Sequence, residues 1–90
     1  MGYGVWDTSS EFAEEWFLKW AEGTILGFMR NRIELNRAKG MLRTAMENIG
    51  EKKLSLIFMN IEQNPIYLPA MSREEKIGKL KILKRELNVK

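Results

Sequence analysis

The chain has 90 residues, of which 44% are hydrophobic and 30% charged, and its formal net charge is +3. It contains no histidine and no cysteine, the residues that most often serve as general base, metal ligand or thiol nucleophile. Ordinary zinc sites, Ser-His-Asp triads and thiol chemistry are therefore excluded. We expect a single non-enzymatic domain over residues 1–90, with no cofactor and no tightly bound transition metal.

The sequence carries no recognisable membrane or export signal. Its longest apolar run, Leu56 to Met59, is far shorter than the ~18–20 residues that a membrane span needs. The first residues lack the basic and apolar regions of a signal peptide. We therefore expect a cytoplasmic protein.

Residues 9–22 are predicted to form the first helix. Thr8 and Glu11 have the spacing of a capping box, and Gly23 is suited to end the helix as its C-cap. At 100° per residue, one side of this helix is mostly aromatic, and we expect it to face the core. That side carries Phe12, Ala13, Trp16, Phe17 and Trp20. Leu18 falls on the opposite, acidic side and is a candidate partner contact, whereas Trp6 is expected to pack onto the bundle.

Residues 25–48 also have a helical pattern, but their apolar face rotates along the segment. Ile25, Met29 and Ile33 lie on one side, whereas the apolar residues from Ala38 onward lie on another. Two structures would explain this rotation. Either the helix breaks near residues 36–40, which Gly40 favours because a mid-helix glycine costs ~1 kcal/mol, or one long helix contacts different neighbours at its two ends.

A third helix is predicted over residues 52–63, after Gly50 has closed the preceding element. Leu54, Ile57, Phe58 and Ile61 have the i, i+3, i+4, i+7 spacing of a helix. Other apolar residues point away from that face, so we expect this helix to be central. A buried strand is the alternative, and it would make the fold a small α+β domain instead of an all-α bundle of about four helices.

The last helix is predicted over residues 73–87. Pro65 and Pro69 disfavour helix just before it, and Ser72 with Glu75 forms a second capping box. The predicted core arc contains Ile77, Leu80, Leu83 and Leu87. Ile82 and Val89 point away from this arc on a helical projection, so both are candidate partner-binding residues.

Charge is segregated along the chain: residues 1–29 carry −4, residues 30–46 carry +4 and residues 72–90 carry +4. The simplest interpretation is that acidic and basic helices pack side by side. A basic segment with a pI near 9.3 also fits a nucleic-acid footprint. The residues of this alternative are Arg30, Arg32, Arg37, Lys39 and Arg43.

The leading functional hypothesis is a small binding or regulatory protein that acts by stoichiometric contact with another protein. Its candidate contacts are Leu18, Ile82 and Val89. A short helical chain without catalytic motifs is typical of bacterial or phage-encoded inhibitors, immunity factors and adaptors, which is an argument by class only. We expect a monomer or a loose homodimer, because two exposed apolar side chains offset little of the cost of association.

Overall fold

The structure is a computed structural model that describes the backbone of residues 10–89 and the side chains of residues 13–89. Within these residues it contains four helices: α1 (Ser10–Met29), α2 (Leu35–Ile49), α3 (Glu51–Gln63) and α4 (Arg73–Leu87). The predicted all-α class is confirmed. The predicted Thr8–Glu11 capping box and the positions of Trp6 and Phe12 lie outside the described residues.

Helix α1 ends seven residues later than predicted, because it continues through Gly23 to Met29. The C-cap assigned to Gly23 is therefore wrong. Ile25 and Met29 are almost fully buried, and burying two such side chains contributes about 1.5–3 kcal/mol each. That gain exceeds the ~1 kcal/mol that Gly23 costs inside a helix.

An asparagine ends both α1 and α4. Asn31 and Asn88 have positive φ angles of 62° and 57°, the left-handed conformation that closes many helices. The amide after each asparagine bonds back to the last turn, Arg32 to the Gly27 carbonyl at 2.8 Å and Val89 to the Lys84 carbonyl at 2.9 Å. This is the Schellman pattern, in which asparagine takes the place of the more usual glycine.

The segment predicted as one pattern over 25–48 is two helices, joined by residues 30–34. The break thus comes before the predicted 36–40 region, and Gly40 lies within α2. The break between the two helices explains why the apolar face rotates along this segment. Ile25 and Met29 are buried as part of α1, whereas Ala38, Leu42 and Ala45 are buried as part of α2, and the turn between the helices resets the helical phase.

The core lies where the four helices meet, since each helix contacts the other three. Segment 51–63 is helical, so the strand alternative and the α+β fallback are wrong. The largest side chains with less than 2% exposure come from every helix: Ile25, Met29, Leu42, Leu54, Phe58, Ile61, Leu80 and Leu83.

The loop between α3 and α4 is fixed at both ends. The Asn64 side chain accepts a hydrogen bond from the Ile66 amide at 3.0 Å, and the buried Leu68 anchors the loop in the core. The predicted cap of α4 is confirmed, because the Ser72 hydroxyl accepts the Glu75 amide at 3.2 Å.

Two predicted orientations around α4 are wrong. Val89 is 7% exposed and belongs to the core, because the left-handed Asn88 redirects the chain and the helical projection no longer applies. Ile77 is 37% exposed, and Lys76 is buried beside Leu80 and Leu83 instead. Ile82 is 44% exposed, so its predicted outward orientation is confirmed.

None of the helices within the described residues combines the length and the apolar character that crossing a bilayer requires.

Two glycine substitutions should change stability in opposite directions. Gly50 links α2 to α3 with φ 88° and ψ 157°, a region open essentially only to glycine, so Gly50→Ala should cost about 1–3 kcal/mol. Gly40 is helical and an added Cβ would meet nothing within 4 Å, so Gly40→Ala should stabilise by about 0.5–1 kcal/mol. Urea unfolding of both variants measures the effect, and equal signs would contradict this account of the α2–α3 junction.

Candidate functional site

Three aromatic side chains form a cluster near the middle of α1. The ring centroids of Trp16 and Phe17 are 5.0 Å apart in an edge-to-face arrangement. Trp20 lies 5.3 Å from Trp16 and 5.6 Å from Phe17. All three distances fall in the range in which aromatic pairs attract each other beyond simple burial. We call these three residues the aromatic face.

The aromatic face lies at the edge of the core. Phe17 and Trp20 are half-buried and pack against core residues, whereas Trp16 is 52% exposed. Trp16 is about 180° around the helix axis from the fully buried Ile25. The prediction that this aromatic side of α1 is the core face is therefore wrong for Trp16, and Ala13 is exposed as well.

Next to the tryptophans, the surface of α1 has no side chain at Gly23. Gly23 is exposed, and a Cβ built on it would meet nothing within 4 Å. Seven residues correspond to nearly two helical turns, so Gly23 lies on the same side of α1 as Trp16. The face thus offers two large rings beside a shallow stretch of exposed backbone.

Leu18 lies on another side of α1, against α3. It is half-buried and packs on the core, so its predicted position as a lone exposed leucine is only partly right. With Leu56 and Ile57 it lines a groove of about 270 Å³. Two further lining residues form an ion pair, in which the Lys53 ammonium donates to the Glu14 carboxylate.

The structure does not join the other predicted partner contacts into one surface. Ile82 is exposed, but Val89 is buried, so the two residues cannot form a shared patch. Leu18 lines the groove between α1 and α3, whereas Ile82 is on α4 and does not line that groove.

The five basic residues of the nucleic-acid hypothesis are distributed over several places. Lys39 forms an ion pair with Glu86 at 3.0 Å. Arg30 lies in a groove with Glu75 and the loop before α4, and Arg43 is exposed on α2. Two of them share a site: Arg32 and Arg37 line a depression of about 630 Å³ at the α1–α2 turn.

A further polar contact ties α1 to the α3–α4 loop. The Tyr67 hydroxyl donates a hydrogen bond to the Glu22 carboxylate at 2.7 Å. This hydrogen bond raises the pKa of Tyr67 above its ordinary value, with burial and the negative charge of Glu22 adding to the effect. The neutral tyrosine is therefore the form that the fold stabilises.

Comparisons of the chain with protein-family models, with curated proteins and with solved structures gave no match in any of the three. Function is therefore inferred from the surfaces themselves.

The Tyr67–Glu22 contact predicts a loss of stability in alkali. A raised folded-state pKa contributes stability below the ordinary tyrosine pKa near 10, and that contribution disappears as the pH rises through the raised value. Between pH 7 and pH 11 the melting temperature should fall further in the wild type than in Tyr67→Phe, which has no phenol at this position. Equal falls in the two proteins would show that the contact does not contribute.

Proposed function

We propose that this protein acts by binding another protein through the aromatic face of α1. The observation that carries the proposal is Trp16, a tryptophan that is 52% exposed within a cluster of rings on a regular helix. Tryptophan is enriched among the residues that dominate binding energy at protein interfaces. The fixed helix backbone and the neighbouring rings hold Trp16 in place before binding, which lowers the entropy lost on association.

The magnitude of this contact is that of a hot-spot residue within a larger interface. A tryptophan buries up to roughly 250 Å², so covering the exposed half of Trp16 removes on the order of 125 Å² from water. At about 25 cal/mol per Å² this contributes on the order of 3 kcal/mol. The open surface at Gly23 adds room for the backbone or a side chain of the partner to approach α1 closely.

The proposed role is non-enzymatic and stoichiometric, as in an inhibitor, an immunity factor or an adaptor from a bacterium or phage. The absence of histidine and cysteine from the sequence supports it, since the usual bases and thiol nucleophiles are missing. A cysteine-free composition also suits the proposed cytoplasmic setting.

Nucleic-acid binding is the second candidate function. The observation in its favour is the depression that Arg32 and Arg37 share at the α1–α2 turn, because two guanidinium groups can contact adjacent phosphates. The ion pair between Lys39 and Glu86 weakens this candidate, since it withdraws one of the five cations from the footprint.

The test compares two exposed apolar side chains on different helices. Trp16→Ala should weaken partner binding by about 2 kcal/mol or more, roughly thirtyfold, whereas Leu56→Ala should change it little, although Leu56 is 54% exposed on α3. Affinity capture from lysate of the source organism identifies the partner, and titration calorimetry with the purified partner gives the affinities. Circular dichroism confirms that each variant folds.

Two results would contradict the proposal. One is a partner that binds Trp16→Ala as tightly as the wild type. The other is capture of a nucleic acid whose log affinity falls with log salt concentration at about −0.9 per phosphate contact. Its binding would also be lost in the double variant Arg32→Gln, Arg37→Gln.

A further inference from the structure

Residues of the loop that connects α3 to α4 line a small cavity, and no residue of the aromatic face lines it. Its volume is about 280 Å³. The end of α3, the loop and the first turns of α4 all contribute to its walls. The lining residues that matter here are Glu62, Pro65, Pro69, Met71, Arg73 and Lys76.

Lys76 is the unusual member of this lining. It is 4% exposed, whereas lysine is almost never fully buried unless its ammonium is paired. Among the described side chains, none of the ion pairs includes Lys76. Its hydrogen bond goes to the Asn64 backbone carbonyl at a long 3.4 Å.

The charge of Lys76 is therefore poorly compensated. An ammonium has three donors, and a buried cation is costly unless acceptors or an opposite charge satisfy it. Glu62 lines the same cavity, but its carboxylate faces Arg73 at 3.7 Å. Because that pair is neutral as a unit, the cavity carries one net positive charge.

We propose that this cavity is a binding site for a singly charged aliphatic carboxylate, with Lys76 as the residue that pairs with the carboxylate. The two prolines and Met71 provide an apolar wall for the aliphatic group. One negative charge on the ligand is enough to neutralise the single unpaired charge of Lys76. The α4 amide of Glu75 is already bonded to Ser72, so the side chain of Lys76 supplies the recognition.

Such a carboxylate has two sources, a free small acid or the C-terminus of a peptide chain. Both share the chemistry that Lys76 recognises, and the experiment separates them. The proposal does not depend on the aromatic face, so it stands or falls independently of the proposed function.

The experiment titrates the full ¹⁵N-labelled chain with two matched pairs of probes at constant ionic strength. The first pair is 4-methylpentanoate and its uncharged analogue 4-methylpentanamide. The second pair is N-acetyl-Gly-Gly-Leu with a free or an amidated C-terminus. In at least one pair the acid should bind at least tenfold more tightly than the amide, with amide shifts concentrated in residues 62–76. The tighter of the two acids then identifies the source.

Two variants locate the charge that is responsible. Lys76→Met keeps the length of the side chain and removes its charge, so it should weaken binding of the acid at least tenfold. Lys81→Met removes an exposed charge from the same helix and should leave binding unchanged. Replacing a buried charge by an apolar chain is often tolerated, and circular dichroism checks that Lys76→Met folds.

The proposal is wrong if acid and amide bind equally in both pairs, or if neither binds. It is also wrong if a folded Lys76→Met binds the acid like the wild type. The comparison of acid with amide uses the wild-type protein, so it decides the question even if Lys76→Met does not fold.

Discussion

The rotation of α1 about its own axis is the constraint on which the rest of the structure depends. Ala21, Ile25 and Met29 are buried, so the side of α1 that carries them faces the other three helices. Trp16 lies about 180° from Ile25 around the helix axis, and it is 52% exposed. Because Glu14 and Leu18 contact α3, the N-terminal part of α1 is also packed, and Trp16 is exposed by the direction in which it points. The proposed binding surface depends on this exposed apolar side chain.

The turns hold this arrangement in place. Asn31 closes α1 and allows Ile33 to fold back against Gly27, where it comes within 2.6 Å of the position that a Cβ would occupy. Gly50 joins α2 to α3 with no intervening loop. Tyr67 then ties the last loop back to Glu22 on α1. Each contact links two elements or closes a helix, so together they fix which side of α1 the other helices cover.

The sequence correctly predicts those helix ends and caps that depend only on residues close together in the chain. The end of α2 at Gly50 and the N-cap of α4 at Ser72 are correctly predicted, because turn and cap geometry depends on neighbouring residues. The prediction that Gly23 ends the helix is wrong because the helix continues wherever burial of Ile25 and Met29 offsets the cost of the glycine. No local pattern in the sequence reveals that burial. Asn31 and Asn88 were the signals missed, since asparagine at a left-handed position ends a helix as glycine does.

The candidate site was harder to predict for the same reason. Aromatic residues at helical spacing usually mark a core, and only the register of Ala21 and Ile25 shows that the core face of α1 lies elsewhere. Val89 was assigned to the surface by extending a helical projection beyond Asn88, where the helix has ended. Nothing in the sequence indicates that Lys76 is buried, because its hydropathy predicts a side chain on the protein surface.

The exposure of Trp16 in the free protein is the central claim, and fluorescence of a variant that retains only this tryptophan tests it most directly. The variant carries Trp6→Phe and Trp20→Phe, and circular dichroism confirms its helical content. The structure predicts a red-shifted emission maximum and efficient quenching by acrylamide, because half of the Trp16 side chain is in contact with water. Blue-shifted emission that acrylamide hardly quenches would place Trp16 in the interior and contradict the binding surface proposed for α1.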